Sequence, residues 1–126
     1  DRDLTAKIHN LAASAKPEER ISALSQLAGK ASIDAKKEQK ILQAAIRDSD
    51  ANVRAQAIYA VAKQNCADAS LILEQALQDS ELSVRLMAVD SLAANETSAG
   101  LLEQALNDEE EAVRELAALK LASLSR

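Results

Sequence analysis

Aromatic side chains are nearly missing from this 126-residue chain: there is no Phe and no Trp, and Tyr59 is the one aromatic. That removes the stacking platforms that hold single-stranded nucleic acids. Gly occurs twice and Pro once, too few turn formers for an all-β chain of this length. Cys66 is alone, so no internal disulfide forms. His9 is the one histidine, far from Cys66 in sequence, so neither a clustered zinc site nor a thiol–imidazole dyad is expected. There is no glycine-rich phosphate loop and no Gly-x-Ser-x-Gly elbow. The expectation is therefore no catalytic residues, no metal and no cofactor, and the chain reads as a non-enzyme.

No apolar run approaches the roughly 20 residues that cross a bilayer, so no membrane insertion is expected within this chain. No secretory signal pattern opens it. It starts at Asp1, which reads as a processed or truncated product, and no compartment follows from it. The net charge is −5, which disfavours nucleic acid as a partner. The densest basic stretch, Lys36, Lys37 and Lys40, has Glu38 among it and reads as a solvated helix face. Glu109, Glu110 and Glu111 open a helix, where the dipole favours negative charge. Asn95-Glu96-Thr97 has the form of a glycosylation sequon, but a helix stop followed by a cap explains it.

What the chain does have is repetition. Residues 41–54 read ILQAAIRDSDANVR, residues 72–85 ILEQALQDSELSVR and residues 101–114 LLEQALNDEEEAVR. Ungapped, these blocks align Leu42, Leu73 and Leu102; Ala45, Ala76 and Ala105; Ile46, Leu77 and Leu106; and Val53, Val84 and Val113. Beyond the blocks, Ala57, Ala88 and Ala117 match, as do Val61, Leu92 and Leu121. A fainter copy precedes them, in which Arg20, Ala23, Leu24 and Leu27 fit the columns of Arg54, Ala57, Ile58 and Val61. There Ser14 stands in the Asp column and Glu19 in the Val column, as suits a more polar end unit.

Apolar residues recur at helical spacing twice per unit, which predicts two helices each. The predicted helices cover about 4–14, 17–28, 35–47, 51–64, 68–78, 82–94, 98–107 and 111–124. Asp50 and Ser80 are the expected N-caps, Pro17 a first-turn residue, and Gly29, Asn65 and Asn95 left-handed stops. One such hairpin cannot bury both of its apolar faces, so neighbours must stack.

The string L-x-x-A-[IL]-x-D-x-x-x-x-V-R-x-x-A, present three times, resembles HEAT repeats of the short type named after phycobilisome lyase subunits. The resemblance is strong from residue 41 onward and weaker before. It implies an all-α, right-handed α-solenoid of about four antiparallel helix pairs, in one domain spanning 1–126 with units near 3–29, 34–65, 67–95 and 97–126. The Trp, Gly and Tyr pattern of tetratricopeptide units and the Thr-Pro-Leu-His string of ankyrin are absent.

Asp48 with Arg54, Asp79 with Arg85, and Asp108 with Arg114 share a spacing of six. They read as a structural ladder rather than a binding row: aspartate bonds backbone N–H groups at the turn, and arginine reaches a carboxylate of its own or an adjacent unit. The resemblance implies the same ladder. Second helices of such stacks line a concave surface, and off their buried stripe lie Gln56, Tyr59 and Lys63, then Met87 and Asp90. Tyr59 suits an interface anchor and Met87 an adaptable contact. The function expected is a scaffold or adaptor binding another protein through that face. The alternative implied by the resemblance is a subunit of, or accessory factor to, a phycobilin-lyase-like enzyme. Leu116 and Leu119 leave the last unit without a polar outer face, so end-to-end association through the last repeat is also expected.

Overall fold

A computed structural model describes residues 2–29, 33–64, 68–93 and 97–124, and among them every regular element is an α-helix. The helices are α1 (Arg2–Ala12), α2 (Pro17–Ala28), α3 (Ala35–Ala45), α4 (Ala51–Gln64), α5 (Ala69–Ala76), α6 (Leu82–Ser91), α7 (Ala99–Ala105) and α8 (Glu111–Leu124). Each coincides with an expected helix. Asn65, Cys66 and Asn95 lie outside the described residues.

The ends follow local chemistry. Pro17 opens α2, where its missing N–H costs nothing. The Asp34 carboxylate accepts from the N–H groups of Lys36 and Lys37 at 2.8 and 3.3 Å and caps α3. Asp50 accepts from Asn52 and Val53 at 2.8 and 3.2 Å and caps α4. Two expected ends are corrected. Ser80 is not a cap: α6 begins at Leu82 behind Glu81, which makes no side-chain cap bond. Asp79 one residue earlier already holds the Glu81 N–H at 2.9 Å. Gly29 is not left-handed, since its φ is −80°, and its N–H closes on the carbonyls of Ser25 and Leu27.

α3, α5 and α7 stop short of their expected ends for one shared reason. The N–H groups of Asp48, Asp79 and Asp108 bond the carbonyls of Ala45, Ala76 and Ala105, each at 3.1 Å, three residues back. This tighter winding turns each aspartate into the corner between two helices.

The chain divides into two compact units, Asp1–Cys66 with α1 to α4 and Ala67–Arg126 with α5 to α8. In the first, α1 pairs with α2 and α3 with α4; α2 packs closely along α4, while α1 and α3 meet much less. Fully buried Ala23, Ala57 and Ala60 keep the α2 and α4 surfaces flat enough for close approach. In the second unit α5 pairs with α6 and α7 with α8, and α6 packs on α8. Ile8, Leu24, Leu27, Val53 and Val61 are the deepest side chains of the first unit, and Val84, Val89, Leu102 and Val113 those of the second.

Four of the aligned columns are buried throughout: Leu42, Leu73, Leu102; Ala45, Ala76, Ala105; Val53, Val84, Val113; and Ala57, Ala88, Ala117. The column of Ile46, Leu77 and Leu106 is half-buried, buried and exposed in turn.

Candidate functional site

Each corner aspartate holds its turn with one oxygen. Asp48, Asp79 and Asp108 all accept through Oδ1 from the N–H two residues on, that of Asp50, Glu81 or Glu110, at 2.9 Å. In the first repeat Ser14 does the same through its hydroxyl, which accepts from the Lys16 N–H at 3.1 Å. The arginines complete the corner from the following helix. Arg20, Arg54, Arg85 and Arg114 donate through Nη1 to the carbonyls of Ser14, Asp48, Asp79 and Asp108, six residues back, at 2.9, 2.8, 2.8 and 2.7 Å.

Two of the carboxylates, those of Asp48 and Asp108, are by contrast met from the preceding repeat. Arg20 grips Asp48 with Nε at 2.8 Å and Nη2 at 3.0 Å, and Arg85 reaches Asp108 with Nε at 3.0 Å. Burial works to raise the Asp48 carboxyl, but the Arg20 guanidinium, the Asp50 N–H and the charge of Arg54 outweigh it and hold the group below the usual carboxylate range. Arg20 is thus a rung of the ladder that the six-residue spacing missed. Its match to the Arg54 column was the available signal.

The residues expected to contact a partner fall on both units. On α4, Tyr59 is 36% exposed, and the Lys63 ammonium sits 5.8 Å from its ring centroid, within cation–π range. Gln56, one turn earlier, is half-buried. On α6, Met87 is half-buried and Asp90 exposed. The Asp90 backbone is also in use. Lys120 of α8 donates through Nζ to the carbonyls of Val89, Asp90 and Leu92 at 2.9, 2.6 and 2.6 Å, so a cation closes the C-terminal end of α6. Desolvation lowers the pKa of that amine, and the Asp90 carboxylate opposes the shift.

The first unit also contains a cleft of about 430 Å³, which the sequence did not reveal. It lies between α1 and α3, over Ala12, Leu24, Ile41 and Ala44, with His9, Lys37 and Lys40 at its edge and the Arg20–Asp48 pair beside it. Its size and apolar floor are those of a binding site. Among the described residues, no three His, Cys, Asp or Glu side chains gather as metal ligands. No described helix is long and apolar enough to cross a membrane.

A family model for HEAT repeats matches the chain twice, over residues 5–93 and over residues 38–122. A search of curated proteins returned no match.

Proposed function

Because this chain belongs to the HEAT-repeat family, whose members are commonly protein-interaction scaffolds, we propose that it is a scaffold or adaptor that binds a partner protein through the concave face of its second helices. The observation that carries this reading is Tyr59. The chain has one aromatic, and α4 keeps it partly in solvent beneath a lysine instead of packing it in the core. An amphipathic ring held in place by its own helix loses little entropy on binding, which suits an interface anchor. Gln56 and Lys63 flank it in the first unit, and Met87 with Asp90 supplies the corresponding positions in the second. Asp48, Arg54, Asp79, Arg85, Asp108 and Arg114 belong to the scaffold in this reading, because their polar groups are taken up by turns and neighbouring helices.

The test is comparative capture with immobilised wild type and a Tyr59→Ala, Met87→Ala variant. The variant is expected to keep its melting curve and to lose at least about tenfold of the affinity for the partner that wild type retains. Equal capture by the two proteins would remove this face from consideration. The lyase-type alternative makes its own prediction: a bilin mixed with the chain would shift its absorbance band.

A further inference from the structure

Residues 1–66 carry eleven Lys and Arg against eight Asp and Glu, whereas residues 67–126 carry four against twelve. A chain of net charge −5 is thus built from a basic unit and a strongly acidic one. Each unit shows its sign on an exposed, partly apolar helix face.

In the basic unit the face is the cleft between α1 and α3. Lys37 and Lys40 are exposed at its edge, and among the described residues no carboxylate pairs with either. Along α3 the two lysines come first, and Ile41 and Ala44 follow on the same face. The one carboxylate lining the cleft, Asp48, is already held by Arg20.

In the acidic unit the face is on α8. Glu111, Glu115, Ala118, Leu119 and Ala122 are all exposed and recur at helical spacing, so they form one stripe. Leu119 is 70% exposed, more than any other large hydrophobic residue described. The basic residues of the helix do not oppose the stripe. Lys120 is bound to the end of α6, and Arg114 to the Asp108 carbonyl.

The two faces match in order and spacing. Seven residues separate Lys37 from Ala44 and Glu111 from Ala118, about 10 Å along either helix. Laid parallel, Glu111 and Glu115 come beside Lys37 and Lys40 as Ala118 and Leu119 reach the apolar floor. We infer that the cleft of the first unit receives helix α8 of a second copy of this chain. The two surfaces differ, so the contact is heterologous. Each copy in a pair retains one unused face, and association continues head to tail. None of Gln56, Tyr59, Lys63, Met87 or Asp90 takes part, so this inference and the concave-face reading fail separately.

Sedimentation of the full chain over a concentration series tests it. Wild type is expected to self-associate in low salt and to dissociate in about 1 M salt, where charges are screened beyond roughly 3 Å. Lys37→Glu with Lys40→Glu, and Glu111→Lys with Glu115→Lys, should each weaken association by about tenfold or more. Mixing the two variants should restore it, because each then meets the reversed charge it needs. Leu119→Ser tests the apolar contact without altering a helix end, and should weaken association likewise. A wild type that stays monomeric at every concentration overturns the inference, as does association that ignores all three variants. A monomeric wild type whose cleft binds a fluorescent acidic, leucine-bearing helical peptide would assign the cleft to another protein and equally overturn the second copy.

Discussion

The corner aspartates Asp48 and Asp108 each do two things at once, and the cost of losing one or its arginine follows from both. One oxygen keeps the turn's N–H satisfied, and the carboxylate receives an arginine from the preceding repeat, as in Arg20 to Asp48 and Arg85 to Asp108. The Arg85 and Asp108 side chains are each only 9% exposed. Arg85→Ala therefore strands a mostly buried carboxylate and the Asp79 carbonyl together, and is expected to cost about 3 kcal/mol in chemical denaturation. Arg85→Lys keeps the charge without the planar fork and should recover only part of the loss. A melting temperature unchanged in Arg85→Ala would show that the ladder is not structural. Asp48 adds a pH dependence. Its pKa is lowered in the folded chain, so its stabilisation is present above the unfolded value and is lost as pH falls through the folded one. Asp48→Asn should be less stable at neutral pH and show a shallower loss of stability below about pH 4. The six-residue spacing of Asp48 and Arg54 was plain in the sequence, but its meaning was not. The Arg54 Nη1 bond goes to the Asp48 carbonyl, while the carboxylate is held by Arg20, 28 residues earlier. A linear repeat shows which types recur without showing which copy meets which.

For a single helix, the decisive question is how its free N–H and carbonyl groups are met. Positions of the helices among the described residues were legible because Leu, Ala and Val recur with a clear helical period and because Pro17, Asp50 and the corner aspartates mark the breaks. Their chemistry at the ends was less so. Ser80 and Asp50 are equally plausible caps by residue type, yet only Asp50 reaches the following N–H groups. Asp50→Ala is thus expected to cost about 1 kcal/mol, and Ser80→Ala only a few tenths. Equal losses from the two substitutions would refute the assignment. Lys120 was illegible for a different reason. A lysine on an amphipathic helix reads as solvated, and only the fold brings its ammonium to three carbonyls of α6. The cleft was hidden for a related reason. Ala12, Ile41 and Ala44 carry no chemical signature of their own, and only the fold lines them along one cleft.

With the chain taken entire, the repeat produces a further consequence through where its core lies. The first unit has its own deep residues in Ile8, Leu24, Leu27, Val53 and Val61, and the second in Val84, Val89, Leu102 and Val113. In a repeat architecture stability is a sum of such local terms and of contacts between neighbours, so damage need not spread evenly. Leu102 is fully buried, and truncating it removes apolar contacts and leaves a cavity in the core of the second unit. Leu102→Ala should cost about 3 kcal/mol. The loss should fall mainly on residues 67–126, with hydrogen exchange quickening in α6, α7 and α8 while α2 and α4 keep most of their protection. Uniform quickening across the helices of both units would mean that the chain opens in one cooperative step, and that the buried columns act as a single core despite their division between two compact units.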